Sequence, residues 1–223
     1  MVPIRIEFDP VIKSLNPVMK IGVIECKVVN SVFNVELWEE ITKLIGELKV
    51  SESFEDIKNQ PQIAATRHMY SLCGKDPSRY RPSAEALRRR IVKNQDLYQI
   101  NTLVDIINLT SLRTGYSIGG FDASLIKGNI KGGLGKPDEI FHAIGRGILN
   151  IENLPIYRDS MGPIGSPTSD EERTAIRPET NHLLMVINAF DGPASLPAAM
   201  EFSANLLNRY AHSRIINYEM VNV

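Results

Sequence analysis

The chain has 223 residues, 43% hydrophobic and 23% charged, with 25 Lys and Arg against 26 Asp and Glu. That length supports one sizeable core or two small ones, and a formal net charge of −1 excludes a general polyelectrolyte attraction, so any RNA contact must come from a local patch. Cys26 and Cys73 stand alone, which argues against a disulfide framework. Arg5, Glu7 and Asp9 break the N-terminal stretch that a signal peptide would keep uncharged, and no apolar run approaches the ~20 residues of a membrane span. The expectation is a soluble cytoplasmic protein with no membrane partner.

In chain order, "IRIEF" (4–8) alternates apolar and polar residues as a half-buried strand does, and "IGVIECKVV" (21–29) is a second strand rich in β-branched residues. Asn34 caps a helix in which Trp38, Ile41, Ile45 and Leu48 recur at helical spacing, with Trp38 as a core anchor. Residues 51–66 are weakly patterned and read as a connection. Ser83 reads as the N-cap of a helix with the apolar stripe Ala84, Leu87 and Ile91. A further helix runs from about Asn101 to Thr114 and stops at Gly115. From Tyr116 to Arg158 glycines separate short apolar pieces, the texture of short strands and tight turns. "HLLMVINAF" (182–190) is a strand buried on both faces. Pro197 starts a last helix and "RIINYEMVNV" closes as a strand. The irregular mixture gives a single α+β domain with a mixed or antiparallel sheet flanked by helices.

Familiar site motifs fail. In "GNIKGGLGK" Ile130 stands where a phosphate loop needs its first glycine, and Pro137 where it needs Ser or Thr. His68, His142, His182 and His212 form no i, i+4 pair and no HExxH, so neither a metal nor another cofactor is expected. One cluster does stand out: Arg79, Arg81, Arg88, Arg89, Arg90 and Lys93, with Tyr80 among them, gather between residues 79 and 93. Consecutive arginines fan around a helix, so the cluster is either a solvated face with internal ion pairs or a phosphate contact.

Four pieces, "RYRPSAEALRRRI", "NTLVDIINLTSLRTGYSIGGFD", "IYRDSMGPIGSPTSDEERT" and "HLLMVINAFDG", resemble in order and spacing the editing domain, or B3/B4 module, of the phenylalanyl-tRNA synthetase β subunit. The resemblance covers roughly residues 65–195. Residues 1–65 would complete the fold and 196–223 add a helix and a strand, making a free-standing relative of one module. It implies tRNA or aminoacyl-tRNA as partner and hydrolysis of a mischarged ester, the work of an aminoacyl-tRNA deacylase rather than a complete ligase. By the same resemblance Asn108 orients the ester, Gly162 and Gly165 present backbone to the aminoacyl group, and Arg79, Arg81, Arg88, Arg89 and Lys93 contact RNA. Three positions depart from the family: Ile107 replaces a Thr, Gly119 a His, and Met185 stands near the place of a carboxylate. A second function therefore stays open, a non-catalytic binder of aminoacyl-tRNA or of a free amino acid.

The stretch "GPIGSPTSDEERT" (162–174) admits two readings. Ser169 with Glu172 satisfies the S-x-x-E of a capping box. Alternatively Ser166, Thr168 and Ser169 line a substrate pocket beside Gly119, and Asp170 or Glu171 faces the substrate ammonium, replacing what Gly119 and Met185 lack.

Overall fold

The computed structural model describes residues 2–223. Ten strands and seven α-helices follow in the order β1 (Ile6–Phe8), α1 (Pro10–Leu15), β2 (Lys20–Lys27), α2 (Val35–Ser51), α3 (Phe54–Asn59), α4 (Pro61–Leu72), α5 (Ser83–Val92), α6 (Thr102–Thr114), β3 (Ile118–Asp122), β4 (Ile130–Leu134), β5 (His142–Ala143), β6 (Gly147–Ile148), β7 (Pro155–Asp159), β8 (Gly162–Gly165), β9 (His182–Ala189), α7 (Leu196–Ala211) and β10 (Arg214–Asn222). The expected α+β class holds. One sheet runs β10-β2-β9-β3 and is antiparallel throughout. The other runs β1-β4-β7-β8, with β1 and β4 parallel.

Strand β9 explains how these layers stack. All eight of its residues are buried, and alternate side chains leave opposite faces of a strand. Leu183, Met185, Ile187 and Ala189 join α2, α6 and α7 in one core. Leu184 and Val186 join Ile6, Ile130, Tyr157 and Ile164 of the second sheet in another. The order is helices, sheet, sheet, with the continuous apolar run of β9 in the middle.

Local signals set most helix ends. The Asn34 side chain accepts from Leu37 N at 3.0 Å and that of Asn101 from Val104 N at 3.1 Å, satisfying backbone donors that a first turn leaves free. Gly115 ends α6 at φ +81°. Trp38 is a partly buried member of the helix-side core and its Nε1 donates to Asp105 Oδ2 at 2.7 Å. Residues 51–66 are not a connection: they contain α3 and the start of α4. A capping box starts α3, in which Ser53 and Asp56 exchange side-chain and backbone bonds, and Pro61 opens α4. α3 has only six residues and only the first turns of α4 fall within 51–66, so neither shows a full apolar stripe there and the caps carry the information. Ser83 is the first residue of α5 rather than its cap; its N–H donates to Pro167 O at 2.8 Å, tying the helix to the 166–170 turn.

Candidate functional site

A cavity of about 310 Å³ opens between α6, β3 and the 166–170 turn. Val104, Ile107, Asn108 and Ser111 stand at i, i+3, i+4 and i+7, so α6 presents one stripe to it. Ile118 and Gly120 of β3 lie opposite, Ile176 and Leu87 close the sides, and Ile144 and Arg146 of the β5–β6 hairpin stand at the rim. The wall is mostly aliphatic, with few polar groups, the usual make-up of a small-ligand site.

Two of those polar groups matter most. Asn108 is half-buried, and among the described residues its side chain makes no hydrogen bond; its amide is available to a ligand. Asp170 lies against β3: its Oδ2 accepts from Gly120 N at 3.0 Å. Its Oδ1 lies 2.7 Å from where a Cβ on Gly165 would stand, and 3.5 Å from one on Gly119. The glycines thus make room for a carboxylate. Burial raises Asp170 to about 7, opposed only by the Gly120 hydrogen bond, because a desolvated carboxylate without a cation holds its proton. The side chain is not fully buried and is one of the residues that line the cavity.

The other residues of the sequence reading divide. Ser166 and Thr168 reach the cavity, but their hydroxyls are committed. Ser166 Oγ accepts from Thr168 N and Ser169 N, both at 3.2 Å; Thr168 Oγ1 donates to Tyr80 O at 2.9 Å and bonds Tyr70 Oη at 2.8 Å. They shape the wall. The capping box at Ser169 does not form: Ser169 Oγ donates to Asp170 O, and the short turn at Glu172–Thr174 is capped by Glu171. Gly162 is outside the cavity, at the β7–β8 turn with φ +142° and nothing near its missing Cβ. Gly165 backs the cavity through Asp170. Gly119 also misses by one residue: alternation turns its missing side chain toward the Phe121 ring and leaves Gly120 to face the cavity. Met185 pairs with Gly120 across the sheet and is fully buried in the helix-side core. Ile107 Cδ1 would lie 2.3 Å from a Cβ on Gly120, so that glycine also admits the Ile.

The basic cluster splits as well. Arg88 is 3% exposed, ion-paired with Glu52 and donating to Leu112 O; it is internal and not available to a phosphate. Burial pushes Arg88 down and Glu52 up, each partly countered by the other's charge. Arg81 and Arg89 lie 3.4 and 3.7 Å from the buried Glu85, which Arg67 binds more closely at 2.8 Å. Arg79 is exposed, its guanidinium 5.6 Å from the centre of the Tyr80 ring. Arg81, Arg89, Arg90 and Lys93 line a second depression, with Tyr98 and Arg146, next to the cavity. Tyr98 and Arg146 were not singled out from sequence, and an aromatic just past a basic helix was the available signal for Tyr98.

The chain belongs to the B3/4 domain family, whose model matches residues 65–222 and so takes in α7 and β10. Its fold is similar to that of an N-terminal fragment of the phenylalanyl-tRNA synthetase β-subunit from Pyrococcus horikoshii, at 12% identity and a TM-score of 0.50. The match covers 96% of this chain and 51% of that one, so the chain spans about half the fragment's length. No curated protein sequence matches. Among the described residues no helix is long and apolar enough to cross a membrane.

Proposed function

We propose that this protein binds the aminoacylated 3′ end of a tRNA and hydrolyses the ester of a mischarged amino acid. The observation that carries the reading is the junction of one cavity, holding the uncommitted Asn108 amide and the Asp170 carboxylate, with a depression lined by cations. Asn108 donates to the acyl oxygen, Asp170 receives the α-ammonium, and the aliphatic wall takes the side chain. Water adds to the acyl carbon, the ribose oxygen leaves with a proton, and the amino acid is released. An aminoacyl ester needs no covalent nucleophile for this; orientation and a donor at the developing oxyanion lower the barrier. Cytoplasmic tRNA is the partner this reading names.

A second reading is a binder without turnover. It is favoured by Gly119 and Met185, which put no titratable side chain where the resemblance calls for a His and a carboxylate. A panel of aminoacyl-tRNAs separates the two when ester loss and retention on a filter are followed together. Ester loss accelerated by wild type and abolished by Asn108→Ala supports the deacylase; tight retention without loss supports the binder. Neither, with saturable binding of a free amino acid instead, overturns both RNA readings.

A further inference from the structure

The two larger sheets end in strands of unequal length. β1 has three residues and β8 four, and β3 is buried along its whole length. β10 is the exception. It closes the order β10-β2-β9-β3 at the end opposite β3, and with nine residues it is the longest strand. One side of it pairs with β2 over Arg214–Asn222. The other side joins no ladder, so alternate residues direct their N–H and C=O groups outward.

The side chains on this edge are poorly suited to solvent. Ile215, Tyr218 and Met220 are 43%, 45% and 45% exposed. In register they stand opposite Cys26, Ile24 and Gly22 of β2, so all three leave the face of the sheet that α7 covers. An edge strand ordinarily blunts such a surface with charge or proline. β10 carries only one cation and one anion, Arg214 and Glu219, both exposed and both on the opposite face, in register with Lys27 and Val23. Arg214 thus faces a like charge, and among the described residues neither it nor Glu219 has an ion-pair partner. Glu219 Oε1 accepts from Asn217 Nδ2 at 2.7 Å, which leaves the second carboxylate oxygen free.

We propose that β10 is a self-complementary edge on which a second copy of this chain pairs antiparallel about a two-fold axis. One register satisfies both faces together. It sets Arg214 against Glu219 of the partner subunit on one face and Ile215 against Tyr218 of the partner subunit on the other, each twice by symmetry. The bulge between Ile215 and Asn217 falls on the axis of that register, and a slip of one residue either way parts Arg214 from Glu219. The sheet of one protomer then runs on into that of the next. β3 and the cavity lie at the far end of each sheet, so both cavities stay open and the pairing does not depend on the ester reading. A contact through one pair of strands lies at the small end of interface sizes, below about 1,200 Å². A dissociation constant on the order of 10 µM is therefore expected rather than a permanent dimer.

Sedimentation velocity on the whole protein, from about 1 to 300 µM, tests this. Wild type should pass from monomer to dimer across that range and stop there, because a two-fold contact closes on itself. Arg214→Glu and Glu219→Arg should each weaken the dimer about tenfold, since each sets like charges against one another twice. The variant carrying both exchanges should return to within about twofold of wild type. Tyr218→Lys should leave only monomer. These side chains are exposed, so circular dichroism and Tm of every variant should match wild type, which separates lost pairing from lost folding. A monomer at all concentrations, growth beyond the dimer, or a dimer indifferent to Tyr218→Lys overturns the proposal. A double exchange no better than either single one overturns the register, and the self-pairing with it.

Discussion

On one face of α5, Glu85 and Arg88 are buried against Arg67, Glu52 and the Leu112 carbonyl; on the other, Arg90 and Lys93 reach solvent beside Tyr98. Residues of one type, two positions apart, are a structural ion pair in one case and a surface charge in the other. Helical geometry fixes the difference, since a step of two residues turns the side chain most of the way to the opposite face. A run of arginines in a sequence therefore reports how much charge is present and leaves open where it points.

The contrast is sharpest in stability. Arg88→Met should cost about 3–5 kcal/mol, because it strands Glu52 without its partner, and should leave the salt dependence of RNA binding unchanged. Chemical denaturation and a salt titration on the same sample check both halves; a lowered salt slope would move Arg88 to the binding face. Gly165→Ala comes next, at about 1–3 kcal/mol of overpacking, because its methyl would meet the Phe121 ring and Asp170 Oδ1, both at 2.7 Å.

Asp170 should behave in the opposite sense. Its carboxyl holds a proton up to about pH 7 in the folded protein, whereas the unfolded chain releases it in the ordinary carboxylate range. The folded state binds the extra proton between those limits, so stability falls as pH rises through that window. Asp170→Asn should raise Tm at pH 8 by a few degrees, on the scale of about 2–4 °C per kcal/mol for a chain of this size. The gain should shrink toward pH 5, and thermal melts across pH read it. Affinity for an aminoacyl ligand should fall with the same substitution. In wild type that affinity should rise as Asp170 ionises toward neutrality and decline above about pH 8, as the α-amino group loses its own proton. A flat profile would remove the ammonium contact. The smallest effect belongs to Arg79→Ala, which sits outside the depression: within about 0.5 kcal/mol in stability and near zero in binding.

How much of this could be read in advance follows the range of the interactions. Asn34, Asn101 and Gly115 announce helix ends because caps are local. Asn108 comes from the resemblance alone; the stripe it shares with Ile107 and Ser111 follows from the period of α6 once the cavity is known. The face assignment on β3 slipped from Gly120 to Gly119 because a strand reverses direction at every residue, and nothing in "SIGGFD" fixes the register; the pairing with β9 does. Gly162 and Gly165 looked equivalent in sequence, yet only the hairpin geometry of β7 and β8 decides which end meets Asp170. Arg146 and Tyr98 lie dozens of residues apart and meet only through tertiary packing.

The hydrogen bond from Gly120 to Asp170 has a consequence beyond ligand binding. β3 is the outermost strand of its sheet, and an open strand edge offers unpaired N–H groups to any passing chain. Asp170 occupies one of them with a charge-bearing acceptor, and the turn that carries it stands in front of the strand. The five residues of β3 are buried, so this edge is covered in the folded chain and Asp170 fills one of its donors. Asp170→Asn, which keeps an acceptor there, should leave the Gly120 N–H satisfied, whereas Asp170→Ala should leave that buried donor unpaired and lower stability by about 1–3 kcal/mol, read by chemical denaturation.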